Sequence, residues 1–232
     1  MQHSGLNETL SPSRRGFLIG MAGACCAFGF STAEAASPSL AAAPSDFEPT
    51  IWYSIDRDGI VTVNIIRAEM GQHVGTALDR ILADELEADW DKVRIFAVDT
   101  DPKWGLMVTG GSWSVWITFP VFSHAGAAGR IALVDEGARL LGVPPNRCVA
   151  RGGAVIAADR SISYAEIIQR GDLRRTFTGD ELANMPIKPG SERRLIGRAV
   201  KALDIPAKTN GAARYGIDRR HGLCAAEDSA DT

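Results

Sequence analysis

Two short stretches carry residue types that could hold a polar ligand. The first is Glu69-Met70-Gly71-Gln72-His73, the second Thr109-Gly110-Gly111-Ser112-Trp113-Ser114. In the first, Gly71 lets backbone approach a ligand closely, and Gln72 offers a donor and an acceptor. A helix starting just after it would add free N–H groups and a positive dipole end, which suits an anionic group. In the second, small residues with exposed N–H groups and hydroxyls can form an anion nest. Taken singly, the first is also what an ordinary strand-to-helix turn looks like. The second is also what a flexible loop with one anchoring Trp looks like. Both flank one helix–strand unit, so both can converge on one ligand.

Other chemistry is poorly supplied. His73, His124 and His221 lack metal-ligand spacing, and His124 reads as a packed or surface histidine. Asp84, Glu85, Glu87 and Asp89 follow helical positions and read as a solvated face rather than a catalytic pair. There is no nucleophile elbow, no Ser–His–Asp set and no G-x-G-x-x-G after a strand. No catalytic residue and no metal ligand is assigned.

The elements that must position these stretches follow from periodicity. Thr50 to Ile55 and Ile60 to Ile66 read as a hairpin around the turn Asp56-Arg57-Asp58-Gly59. Leu78, Ile81, Leu82 and Leu86 fall at helical spacing within Val74 to Ala88, with acids on the other face. Val93 to Val98 is a short strand, and 99–116 a Gly/Ser/Trp-rich loop. Val121 to Leu141 is a second helix whose Ala125-Gly126-Ala127-Ala128-Gly129 run permits close packing; Gly142 and Pro144-Pro145 end it. Cys148 to Ala150 and Ala154 to Ala157 read as strands around Gly152-Gly153, and Ser163 to Glu166 as a capping box. From Gly171 to Gly190 no strong periodicity appears, which makes this the linker candidate. The fold class is α+β: a β-hairpin and short mixed sheet packed with two main helices.

The N-terminus reads as an address. Arg14-Arg15 leads into the apolar, Gly/Ala-rich run Gly16 to Phe30, and Ala33-Glu34-Ala35 offers a cleavage site. The run is short for a membrane span, so a stable anchor is not expected. The arginine pair favours the twin-arginine machinery and a periplasmic destination. Residues 1–35 are therefore a signal peptide and 36–47, rich in Ala, Ser and Pro, a flexible leader. Cys25 and Cys26 would leave with the signal. Cys148 and Cys224 would remain, too few for a metal cluster and enough for one disulfide. The 232 residues are 45% hydrophobic and 23% charged, an ordinary globular mix. A net charge of -3 and 7% aromatics argue against nucleic acid as a partner.

At the two loops the sequence resembles the large subunits of isoquinoline 1-oxidoreductase type, in the xanthine dehydrogenase family of molybdenum hydroxylases. The resemblance rests on Glu69-Met70-Gly71-Gln72, Thr76-Ala77-Leu78, Ala83-Asp84-Glu85-Leu86, Asp89-Trp90, Val93-Arg94, Thr100-Asp101-Pro102 and Thr109 to Ser114. It continues through Ala125 to Ala128, Ile196-Gly197, Leu203 to Lys208 and Gly211 to Asp218. It implies a molybdopterin cytosine dinucleotide cofactor, with Met70, Gly71, Gln72, Thr109, Gly111 and Ser112 as cofactor-binding residues. It also implies hydroxylation of an N-heterocycle or aldehyde by water, and an iron–sulfur small subunit carrying two [2Fe–2S] clusters. The domains it implies are a molybdopterin-binding segment at 48–170, a linker at 171–194 and the start of an α/β-hammerhead domain at 195–232.

The chain departs from the family pattern in four respects. His73 stands where a glycine is usual, and Ala202 where an arginine is usual. The family's general-base glutamate lies near its C-terminus and has no counterpart here. After Ala226 the residues Glu227 to Thr232 leave the pattern. The expectation is an N-terminal portion of a longer subunit, inactive alone, with the remainder of the large subunit as a partner if the enzyme is split. The alternatives are a non-enzymatic remnant and an exported module binding a small anion.

Overall fold

The computed structural model describes residues 46–213 apart from Arg174 and Thr176. Arg14, Arg15, Cys25, Cys26, His221, Cys224, the signal and most of the leader lie outside the described residues, as does the motif beyond Ala213.

The first unit is a four-stranded sheet in the order β1-β2-β3-β4, with β1 Phe47–Thr50, β2 Tyr53–Ile55, β3 Val61–Ile65 and β4 Val93–Ala97. The first three strands are antiparallel; β4 lies parallel to β3, with Val61 opposite Val93 and Ile65 opposite Ala97. A parallel neighbour needs a crossover, and helix α1 (Val74–Leu86) supplies it. The alternation of β-branched and polar residues in β3 buries Val61, Val63 and Ile65 and turns Thr62 and Asn64 outward. The long helix α2 (Ser114–Leu141) packs across α1 and the inner sheet face. A second sheet, antiparallel β5-β6-β7 (Val149–Arg151, Ala154–Ala157, Arg160–Ser163), leads into helix α3 (Tyr164–Arg170). Short helices α4 (Gly179–Ala183) and α5 (Ile205–Thr209) follow. The hairpin, the mixed sheet and the two main helices match the α+β reading.

The contact between α1 and α2 is very close because two glycines face it. A Cβ at Gly126 would lie 2.6 Å from the Leu82 carbonyl oxygen, and one at Gly129 would lie 1.7 Å from Tyr53 Oη. Leu78, Leu82, Leu86, Phe122 and Leu133 are fully buried along this seam. Two buried phenols donate to helix carbonyls there: Tyr53 Oη to Ala125 O at 3.3 Å and Tyr164 Oη to Leu86 O at 2.7 Å. Among the described residues, α2 is the one helix long and apolar enough to cross a membrane by length and composition. Here it is a core helix.

Several elements differ from the sequence expectation. The first strand is two strands broken at Ile51-Trp52, because Trp52 turns into the core against Trp104 and Phe122, with ring centroids 5.9 and 5.6 Å away. Helix α2 starts at Ser114 rather than Val121, with Pro120 inside it. The proline forfeits one ladder bond, and the helix continues through it with Thr118 and Phe122 buried on either side. Strand β7 and α4 had no sequence counterpart. The β6–β7 turn uses Ala158 at φ 55° instead of a glycine, and α4 carries its own Thr178–Glu181 capping box.

The largest correction concerns the acids of α1. Asp84, Glu85 and Glu87 are buried, not a solvated face. Lys188 Nζ lies 3.1 Å from Asp84 Oδ1 and 2.8 Å from Glu87 Oε1. Arg193 pairs with Glu85 at 2.5 Å, and the backbone N–H groups of Arg194, Leu195 and Ile196 donate to Asp84. Burial pushes Asp84 up, but those N–H groups and Lys188 outweigh it and hold its pKa below the ordinary value. For Glu85 burial wins and its pKa is raised, against the pull of the Lys188 N–H and Arg193. Breaking one partner out of such a buried pair costs about 3–5 kcal/mol. Helical spacing showed the acids but not their partners, which lie about a hundred residues further on. Asp89 is different: half-buried, it caps the following turn by accepting from Asp91 N at 3.1 Å.

Asp79, also on α1, is 0% exposed, and neither carboxyl oxygen has a partner among the described residues. Burial raises its pKa from 3.8 to about 8. The folded carboxyl thus keeps its proton where the unfolded one has lost it, so folding takes up a proton. Its contribution to stability is fully present at low pH and is lost as pH rises from about 4 to about 8. The urea midpoint of the wild type should therefore fall relative to that of Asp79→Asn between pH 5 and 8. A constant difference between the two proteins over that range would contradict the assignment.

Candidate functional site

The two loops meet. Ala68 N donates to Thr109 Oγ1 at 2.8 Å, which joins the Met-Gly-Gln loop to the Thr-Gly-Gly-Ser loop. One residue back, buried Arg67 donates from Nη1 to Leu106 O at 2.8 Å and Val108 O at 2.7 Å. The first loop ends at the N-terminus of α1 and the second at that of α2. All six candidate residues, Met70, Gly71, Gln72, Thr109, Gly111 and Ser112, are therefore carried by one pair of linked loops.

Their polar groups are not equally free. Glu69 Oε1 accepts from Gly71 N at 2.7 Å and His73 N at 3.1 Å. Gln72 folds back, accepting from Met70 N at 2.5 Å and donating to Ala68 O at 2.9 Å. The amides of the first loop, expected to await a ligand, are thus largely satisfied by the loop's own side chains. What this loop presents outward is the Met70 side chain, 70% exposed, and open space above Gly71, which sits at φ 96°.

The second loop is the more receptive. Among the described residues, the amides of Gly110, Gly111 and Ser112 and the Ser112 hydroxyl have no partner. Gly111 and Ser112 are both left-handed, at φ 58° and 56°. A Cβ at Gly110 would meet nothing within 4 Å, whereas the face of Gly111 lies against the Trp113 ring. Helix α2 has no side-chain cap and no acid in its first turn. Its positive end is therefore open; α1 likewise has no side-chain cap and no acid in its first turn, but Glu69 occupies the amides of Gly71 and His73 just ahead of it.

A third strand of contacts braces the first loop. His73, left-handed at φ 55°, places Nδ1 3.0 Å from Asp204 Oδ1. Lys208 Nζ lies 3.3 Å from Glu69 Oε1 and also bonds Asp204. Leu203 N donates to Thr76 Oγ1 at 2.9 Å. Burial pushes Glu69 up, but hydrogen bonds from His73 N, Gly71 N and Lys208 hold its carboxyl below the ordinary range. Burial also pushes Asp204 up, and Lys208 and His73 outweigh it. Glu69, His73 and Asp204 bring ligand-type atoms within 4.8 Å of one another, with the Lys208 ammonium already paired with both carboxylates. Sequence spacing missed this group because Asp204 lies 131 residues from His73. Arg67 and Lys208 were missed for the same reason. His124 is half-buried, with Nδ1 3.1 Å from Met185 O, a packed histidine as expected.

The chain matches the family described as Molybdopterin cofactor-binding domain over residues 2–187. It is 60% identical over 222 residues to the membrane-bound aldehyde dehydrogenase [pyrroloquinoline-quinone] of Gluconacetobacter polyoxogenes, covering 93% of this chain and 29% of that protein. It is 31% identical over 255 residues to the beta subunit of the isoquinoline 1-oxidoreductase of Brevundimonas diminuta, covering 91% of this chain and 32% of that one. A nicotinate dehydrogenase subunit of Pseudomonas putida is 30% identical over 174 residues, 75% of this chain and 14% of its own. Among solved structures, quinoline 2-oxidoreductase from Pseudomonas putida 86 aligns with 50% of this chain and 15% of its own, at 26% identity and TM-score 0.43. The chain belongs to the molybdopterin cofactor-binding domain family. It spans about a third or less of the length of these curated relatives.

The residues present fit a phosphate-bearing group. Unsatisfied amides at the start of a long helix, a side-chain-free approach at Gly110 and an unengaged Ser112 hydroxyl are the donor set such a group needs. Glu69→Ala should leave Gly71 N and His73 N without their acceptor. Amide exchange at those two positions should then accelerate about fivefold, the equivalent of one ~1 kcal/mol hydrogen bond. Unchanged exchange would mean that Glu69 does not hold the loop.

Proposed function

We propose that this chain is the cofactor-binding portion of the large subunit of an exported molybdenum hydroxylase acting on aldehydes. The cofactor is molybdopterin cytosine dinucleotide. The observation that carries the reading is the junction of the two family loops at Ala68 and Thr109, beside the open end of α2. Gly110, Gly111 and Ser112 would hold phosphate oxygens through backbone N–H groups, and Met70 and Gly71 would form the opposite wall. When bound, the group supplies the two-electron chemistry of hydroxylation with oxygen from water. The chain's own part is to bind and orient it.

The 60% relative, named as an aldehyde dehydrogenase, favours aldehydes over N-heterocycles as the substrate class. Two relatives are named as subunits, which supports a separate electron-transferring partner carrying the [2Fe–2S] clusters. The remaining length of the relatives supports a further portion of the large subunit, with residues 195–232 opening its next domain. No residue of this chain stands in the family's general-base motif, so turnover would need that further portion. The quinone in the name of the 60% relative favours a second reading, in which pyrroloquinoline quinone is the group held.

Two experiments test this. The full chain, purified from a host that makes molybdenum cofactor, should carry molybdenum and pterin and no quinone. Gly110→Val should strip both while shifting folding stability by no more than about 0.5–1 kcal/mol. Quinone without molybdenum would establish the second reading, and neither group would overturn the proposal. For export, Arg14→Lys with Arg15→Lys should leave precursor in the cytoplasm. Normal periplasmic accumulation of that double variant would exclude the twin-arginine route.

A further inference from the structure

We propose that Arg67 is a positioning residue that sets the spacing and orientation of the two cofactor loops without touching the cofactor, an inference that rests on the molybdopterin-binding reading. Arg67 follows β3 by two residues and is 5% exposed. Its guanidinium reaches Leu106 O and Val108 O, alternate carbonyls of the segment that delivers Thr109. Its other terminal nitrogen lies 3.5 Å from Thr118 Oγ1 on α2. The next residue, Ala68, adds the bond to Thr109 Oγ1. One dipeptide therefore ties together the end of β3, the approach to the Gly-Gly-Ser loop and the first turns of α2. The two loops that carry every candidate cofactor residue start or end at these places.

The chemistry requires a guanidinium. Its planar fork, with five donors, can satisfy two carbonyls and a hydroxyl in fixed directions. Lysine brings a single ammonium on a flexible stem and cannot span carbonyls on one element and a hydroxyl on another with the same rigidity. A residue one layer behind a bound group acts through the geometry of its neighbours, and losing such a residue costs about 10- to 100-fold in affinity at metal centres, which sets the scale here.

The test uses the full chain from a host that makes molybdenum cofactor, as wild type, Arg67→Lys, Arg67→Met and Ile162→Ala. The last removes a core side chain of β7, in the other sheet, and serves as a destabilised control. Molybdenum and pterin retention through dilution, the urea midpoint and amide exchange over residues 106–112 are read for each. Arg67→Met should bind about 10- to 100-fold more weakly, with faster exchange across 106–112, and Arg67→Lys should fall between it and wild type. Ile162→Ala should lose stability yet keep the cofactor. Wild-type retention by Arg67→Met, or equal loss by Ile162→Ala, would overturn the positioning role and leave the functional reading standing. A wild type with neither molybdenum nor pterin would overturn both.

Discussion

Everything at the candidate site depends on how closely α1 can lie against α2. Each helix carries one loop at its N-terminus, so the distance between the loops is set by the distance between the helices. That distance is possible only because Gly126 meets the backbone of α1 and Gly129 meets Tyr53 without side chains between them. A methyl group at either position would collide with backbone or with a buried ring that itself bonds α2. Dispersion contacts and burial along Leu78, Leu82, Phe122 and Leu133 then hold the pair together. The hydrogen bonds from Arg67 and Ala68 refine this placement at the loop end.

The second constraint is charge. Three acids on α1 would be costly to bury alone, and the chain supplies cations from 188–194 and backbone N–H groups from 194–196. The result fastens a late segment along α1. The same segment then runs back to the Met-Gly-Gln loop, where Leu203, Asp204 and Lys208 contact Thr76, His73 and Glu69. Helix α1 is thus held from both ends by residues far along the chain. Glu69, an acid beside the positive end of a helix, is part of the same logic on a smaller scale.

What could be read in the sequence was what is local. The amphipathic period of α1, the small-residue run of α2, the Gly142 stop and the Ser163 capping box all depend on near neighbours, and all reappear. The two loops were legible because glycine and small polar residues announce themselves. The carboxylates of α1 were misread because period alone separates apolar from polar positions, not solvated acids from paired ones. Trp52 was misread because a β-former that turns inward looks like one that continues a strand. That the amides of the first loop are satisfied by Glu69 and Gln72 follows from loop conformation, which residue types do not dictate. The links through Arg67 and Asp204 depend on pairs tens to more than a hundred residues apart.

Helix α2 has a consequence for how such a chain is made. Its most apolar eighteen-residue window is long and greasy enough to enter a bilayer, and 56% of that window is hidden inside the fold. In an extended polypeptide those residues would have no cover. For such an uncovered segment, lipid is a competing apolar environment by length and composition. Folding supplies cover: with Gly126 and Gly129 packed against α1 and Tyr53, more than half of the window is taken out of contact with its surroundings. For this architecture, the close packing of two helices is also what gives its most apolar segment a protein environment.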